Sequence, residues 1–143
     1  MIVTEGGRFG GYGLFLNKGE LDIRHSKVVF LYNLMGLKRT AWGGPELKAG
    51  KHTISFDFVY DGPGFAKSGT GTLIVDDKTV DTKKLENTEP IIFPEDETFD
   101  VGMDTRSPVS LVEYHYDCPF KFTGKIDRLT VTLGPAQFTE AKK

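Results

Sequence analysis

Alternation of apolar and polar residues with a period of two recurs along this chain, and a helical period does not. From Lys51 to Tyr60, residues Ile54, Phe56, Phe58 and Tyr60 fall on one side of an extended chain, and Thr53, Ser55 and Asp57 on the other. An extended backbone sends successive side chains to opposite faces, so this pattern predicts a half-buried antiparallel strand. Leu129, Val131 and Leu133 alternate with Arg128, Thr130 and Thr132 in the same way, and Leu73 and Val75 follow Gly69-Thr70-Gly71. Val28 to Tyr32 is apolar throughout, as a strand covered on both faces would be. Turn-forming residues separate these runs. Asn17-Lys18-Gly19 stands between Tyr12–Leu16 and Leu21–His25, Lys48-Ala49-Gly50 precedes Lys51, and Asp76-Asp77-Lys78 reads as a short hairpin loop. The expected fold is all-β, an antiparallel two-sheet β-sandwich of jelly-roll or lectin-like kind, with about eight to ten short strands. Its expected span is 14–134, with 1–13 as a linker or entry segment and 135–143 as a C-terminal tail.

A chain of 143 residues fits one domain, and at this size about two-thirds of the unfolded surface is buried on folding. That is enough for a core without metal or disulfide support. Eighteen basic and twenty acidic residues give a formal charge of -2. No basic face is left to attract a phosphate backbone, which argues against a nucleic-acid partner. The longest apolar run, Val28 to Tyr32, is far short of the ~20 residues a membrane-spanning helix needs. A soluble protein without a membrane partner is expected. A single cysteine, Cys118, forms no internal disulfide, so the redox compartment, cytoplasm or periplasm, stays open. The glycine-rich stretch Gly6 to Gly13 reads like a linker entering a domain, and the chain is expected to be a piece of a longer polypeptide.

Few constellations carry chemistry. Gly6 to Gly13 lacks the Gly-Lys-Ser/Thr ending of a phosphate-binding loop, and a tight backbone turn is the plainer expectation. His115-Tyr116-Asp117-Cys118 offers three metal-capable side chains, but no second pair at zinc spacing accompanies it, the other histidines being His25 and His52. A structural rim is expected there, with Cys118 a small buried hydrophobe. The acidic run Glu95-Asp96-Glu97, then Asp100 and Asp104, is the best candidate for a cation. Calcium takes six to eight oxygens from such loops, and Asp100 and Asp104 are its candidate ligands, although the spacing is not that of an EF-hand. Trp42, beside Gly43-Gly44-Pro45, and the pair Tyr114 and Tyr116 are the aromatics expected at the surface. Sugars stack on such rings, which makes these three the candidate residues of a carbohydrate site.

Several segments in order resemble the carboxy-terminal domain of long bacterial arylsulfatases. They are Gly6-Gly7-Arg8-Phe9-Gly10-Gly11-Tyr12-Gly13-Leu14-Phe15, Val29-Phe30-Leu31-Tyr32-Asn33 with Gly36-Leu37-Lys38-Arg39, and Ala49-Gly50-Lys51-His52-Thr53-Ile54-Ser55-Phe56 with Tyr60-Asp61-Gly62. Further along come Gly71-Thr72-Leu73-Ile74-Val75-Asp76, Glu97 to Thr105 with Ser107-Pro108-Val109, and Pro119 to Gly124 with Lys125-Ile126. In that family the catalytic half lies upstream, with a Cys/Ser-X-Pro-X-Arg signature oxidised to formylglycine and a calcium ion held by Asp and Asn. Here Cys118-Pro119-Phe120-Lys121 and Arg106-Ser107-Pro108 both fail that signature, so no catalytic residue carries over. The resemblance implies a non-catalytic accessory domain whose partner is the upstream sulfatase domain of the same polypeptide. The alternative reading is a lectin-like carbohydrate-binding module that uses calcium. Two departures stand out. The family's Asp-Gly-Lys hairpin is Asp76-Asp77-Lys78 here, which asks Asp77 for a positive φ, and Leu111 to Asp117 departs from the family pattern.

Overall fold

The structure is a computed structural model that describes residues 1–19, 22–91 and 97–137, without the side chains of 18, 19 and 22–25. Glu95 and Asp96 of the acidic run, Leu21, the His25 side chain and the tail from 138 onward lie outside the described residues. The described chain holds strands and no helix. Five strands form one antiparallel sheet: β1 (Val3–Gly7), β2 (Gly10–Gly19), β3 (Asp22–Leu34), β4 (Lys38–Leu47) and, after a long excursion, β8 (Phe99–Val101). Their spatial order is β4-β3-β2-β1-β8. A second sheet, β5-β6-β7, comprises β5 (Ile54–Tyr60), β6 (Gly69–Val75) and β7 (Lys78–Leu85). Two short strands, β9 (Met103–Asp104) and β10 (Phe120–Lys121), pair as a ribbon. The expected all-β antiparallel sandwich is present.

The unbroken apolar run predicts a strand covered on both faces, and β3 is that strand. Val28, Val29, Phe30 and Leu31 are all buried. Val28 and Phe30 point to the β5-β6-β7 sheet and join Val3, Leu14, Trp42, Leu73, Val75 and Leu85 in the main core. Val29 and Leu31 point the other way and meet Phe15, Val109 and Tyr116. Register carries this through the sheet: Leu14, Phe30 and Trp42 lie abreast on one face, while Leu31 and Ala41 share the other. The rear face is covered by Met1, by the irregular chain from Val109 to Cys118 and by Phe120 of the β9–β10 ribbon.

Trp42 corrects an expectation. It is fully buried, its indole Nε1 donates to the Gly71 carbonyl at 2.8 Å, and its ring stands edge-on to Phe30 and Phe56. Gly43-Gly44-Pro45 looks like a loop in sequence. It is instead the site where pairing of β4 with β3 shifts register, between Lys27 and Val29, and a bulge on an edge strand tolerates both glycine and proline. Residues 1–13, expected as a linker, are corrected as well: they form β1, a tight turn and the start of β2. Gly6 and Gly11 are register partners, and a Cβ on Gly6 would stand 2.9 Å from the Gly11 Cα, so the hairpin closes only without side chains there. The β6–β7 turn meets the expectation for Asp77, at φ 62, and extends it to Asp76, at φ 49. Two positive φ values in succession match the twist of a two-residue hairpin. The alternating stretch Leu129 to Leu133, expected as a strand, belongs to no sheet.

Candidate functional site

The most elaborately built surface is the end of the five-stranded sheet where two hairpins turn side by side. Asn33, next to the end of β3, is fully buried although it is polar. Its Nδ2 donates to the carbonyls of Gly7 at 2.8 Å and Arg8 at 3.1 Å, and its Oδ1 accepts from Gly36 N at 3.0 Å. One side chain therefore ties the β1–β2 turn to the β3–β4 turn. Arg39 of β4 adds to the tie, with Nε donating to the Val109 carbonyl at 3.0 Å and Nη2 to the Arg8 carbonyl at 3.1 Å. Ser107 Oγ accepts from Arg8 N at 3.0 Å and donates to Glu97. The β3–β4 turn uses φ 48 at Met35 and φ 72 at Gly36, closed by Leu37 N donating to the Leu34 carbonyl at 2.8 Å.

These fixed turns display apolar side chains outward. Leu37 is 81% exposed, Phe9 55% and Met35 44%. The Arg8 guanidinium lies 4.7 Å from the centre of the Phe9 ring, and Lys38 pairs with Glu86 at 3.2 Å. Arg8, Lys38 and Arg39 give the patch a basic surround. On a backbone locked in this way, little ordering entropy would remain to be lost if such an apolar patch were covered.

The residues singled out from the sequence lie elsewhere. Asp100, on β8, accepts from Thr105 Oγ1 at 2.7 Å, Thr105 N at 3.2 Å and Thr98 Oγ1 at 2.9 Å. The Thr105 hydroxyl first, and then its other donors, hold its carboxyl below the usual range. Asp104 is buried and receives the Tyr116 hydroxyl at 2.6 Å. The two candidate calcium ligands thus sit in separate hydrogen-bond sets. Among the described residues no three His, Cys, Asp or Glu side chains converge as a metal site would. Tyr116 is buried, corrected from the surface position expected for it. Its oxygen accepts from Val109 N at 3.0 Å, and burial first, then the Asp104 bond, raises its phenol pKa. Tyr114 is half-buried at φ 58.

Cys118 packs against the rear core, and burial, reinforced by the Asp104 charge, pushes its thiol up to about 12. A thiol held protonated at neutral pH is a poor nucleophile. His115 turns to the surface and pairs with Asp117 at 3.1 Å, away from Cys118's core packing. The cavity beside Tyr32, Leu34, Lys38 and Leu85 holds about 30 Å³, room for a water rather than a metabolite. No described helix is long and apolar enough to cross a membrane.

The described chain is thus an all-β module with an exposed apolar patch at one end of its five-stranded sheet. Comparison with protein-family models, with curated proteins and with solved structures gives no match. Asn33, Phe9, Met35 and Leu37, which build this patch, are not singled out by the sequence alone. The available signal was Asn33 itself, a polar residue closing an apolar run two positions before a Met35-Gly36 turn.

Proposed function

We propose that this chain is a non-catalytic accessory module of an arylsulfatase, a sulfuric ester hydrolase, and that it packs on the catalytic domain of the same polypeptide. The ordered resemblance of its segments supplies the parentage. The observation that carries the packing role is the Phe9–Met35–Leu37 patch, held in place by Asn33 and Arg39 on the Gly7–Gly10 turn. Exposed apolar groups inside a basic surround fit a partner surface that is apolar at its centre and acidic at its rim. Domain interfaces of this kind bury roughly 600–1,500 Å², which three tip side chains and their flanks can anchor. In this reading the formylglycine and calcium of sulfate-ester chemistry belong to the catalytic domain. The carbohydrate reading gains no support from aromatic display, since Trp42 and Tyr116 turn their rings into the cores.

The test is association with a separately expressed sulfatase catalytic domain, measured by analytical ultracentrifugation or calorimetry. Paired Phe9→Asp and Leu37→Asp substitutions are expected to weaken it by roughly tenfold or more. Sulfate release from an aryl sulfate by this chain alone, or association that ignores both substitutions, would overturn the proposal.

A further inference from the structure

Leu129, Val131 and Leu133 alternate with polar residues as the side chains of a strand do, yet the segment that carries them pairs with nothing. The three are 37%, 65% and 86% exposed, and among the described residues Arg128 to Ala136 make no hydrogen bond. Both ends of the segment are nevertheless fastened, each to a flank of β5. Asp127 meets Lys51, shortly before β5, at 3.8 Å. Gln137 seats on the loop that follows β5. Its carbonyl accepts from Gly64 N at 2.8 Å, and its Oε1 lies 2.5 Å from where a Cβ on Gly62 would stand. The first tie is an exposed ion pair and holds weakly, whereas the second is a main-chain bond. From its first tie to its second the segment passes β5 in β5's own direction.

β5 has room for a neighbour. It is the outer strand of its sheet and pairs with β6 alone. Ile54, Phe56, Phe58 and Tyr60 share its core-facing side, opposite Val75, Leu73, Gly71 and Gly69, all buried. Phe58 is 40% exposed, so the stripe lacks a cover at this margin. The Gln137 contact also sets a register. Side chains abreast in neighbouring strands fall on the same face, and two-residue steps stay on it. With Gln137 abreast of Gly62, Leu133 comes abreast of Phe58, Val131 of Phe56 and Leu129 of Ile54. All three apolar residues then fall on the core-facing side, and Thr130 and Thr132 fall on the other, beside Ser55 and Asp57. Asp127 comes abreast of His52, next to the Lys51 it already meets. A slip of one residue would turn every one of these apolar side chains outward. The contact at Gln137 and the sequence pattern thus agree on one register.

We infer that Arg128 to Leu133 is a strap that closes on the free edge of β5 as a parallel strand in this register, and that the structure holds its open form. Closing would make the three-stranded sheet four-stranded, and one parallel edge strand on an otherwise antiparallel sheet is a common arrangement. Both ends are already held, so little further loop entropy is lost when the middle seats. Burial of Leu129, Val131, Leu133 and the open side of Phe58 favours the closed form. Once closed, the strap takes the backbone groups of β5 that would otherwise invite edge-to-edge pairing with another chain. The inference involves residues of this chain alone and stands apart from the arylsulfatase reading.

The test is a register-specific cross-link. Residues abreast in neighbouring strands stand about 5 Å apart, within disulfide reach, whereas a slip of two residues along the strand separates them by about 8 Å. In a Cys118→Ser chain, Ser55→Cys with Thr130→Cys is expected to oxidise to a disulfide at least tenfold faster than Asp57→Cys or Thr53→Cys with the same partner. Equal rates for the three pairs, or a faster rate out of register, would overturn the strap. Amide hydrogen exchange of the unsubstituted chain gives a second reading that needs no variant. Alternate amides between Leu129 and Leu133 are expected to exchange roughly tenfold or more slowly than in a free peptide, and Val131→Asp should restore the fast rate. Peptide-like exchange at every amide of that stretch would overturn the strap as well.

Discussion

Asn33→Ala removes three hydrogen bonds from the junction of two turns and leaves the apolar residues around them untouched. Each such bond contributes about 0.5–1.5 kcal/mol net, with more at stake where a buried partner is left unsatisfied. The three losses are not equal. The Arg8 carbonyl keeps the Arg39 guanidinium at 3.1 Å, and Gly36 N sits on an exposed turn where water can replace the amide. Gly7 is buried, so its carbonyl loses a donor that water does not readily replace. The sum is a destabilisation of about 2–3 kcal/mol, or a fall in Tm of about 5–10 °C for a chain of this size. Asn33→Asp separates hydrogen bonding from shape. It keeps the acceptor for Gly36 N but turns a carboxylate oxygen toward two carbonyls. It should therefore be at least as damaging as alanine at neutral pH and should recover as acidification protonates the new carboxyl, which can then donate once. Urea unfolding of the three proteins at pH 7 and pH 5, with the slope checked for constancy, measures both effects. An alanine variant within about 0.5 kcal/mol of the parent would refute the tie between the turns, since that is the scatter of ordinary surface changes.

Gly71→Ala places a methyl 2.7 Å from Trp42 Cζ2 and 2.5 Å from Phe56 Cζ, with Trp42 held by its bond to the Gly71 carbonyl. Overpacking of about 1–3 kcal/mol is expected in thermal or urea unfolding, whereas Gly134→Ala, with nothing within 4 Å, should be neutral. His52 bonds the Asp76 carboxylate at 2.8 Å through Nδ1 and the Lys48 carbonyl at 2.9 Å through Nε2, and only a doubly protonated ring donates to both. The Asp76 bond first, then the Lys48 carbonyl, raises the His52 pKa above 6.5, so its stabilisation is complete below that value and is lost as pH rises through the folded pKa. The Asp76 pKa is lowered below 3.8, chiefly by the same bond, so its contribution is present above that value and disappears as pH falls through the folded pKa. Tm measured from pH 5 to pH 9 should decline on the alkaline side, and His52→Gln should flatten that decline. Tyr116→Phe removes the hydroxyl that donates to buried Asp104 and accepts from Val109 N, and a loss of about 2–3 kcal/mol in urea unfolding is expected. A loss under about 0.5 kcal/mol would mean water replaces both bonds.

Alternation made β5 and β6 legible, because burial on one side leaves a period of two in the residues themselves. The unbroken run Val28 to Leu31 also declared a strand covered on both faces, although nothing local named the second cover as an irregular chain. Legibility failed where a residue's role depends on distant sequence. Trp42 stands beside glycines and proline and looks exposed, but its place opposite Phe30 and above Gly71 is decided by pairing across three strands. Gly6 to Gly13 looks like a linker because glycine is common in both linkers and closely approaching hairpins, and only the partner strand tells them apart. Asn33 shows the same limit from the other side. Its polarity within an apolar run was visible, while the carbonyls that satisfy it lie about 25 residues away in sequence.

The two-sided burial of β3 also restricts where contact can occur. Both broad faces of the five-stranded sheet are spent on cores, one against β5-β6-β7 and one against the chain around Val109 to Phe120. The exposed tips Phe9, Met35 and Leu37 lie at one end of that sheet, clear of both cores. The tips present side chains on a backbone fixed by Asn33 and Arg39, so a preformed surface would cover them at little cost in ordering entropy.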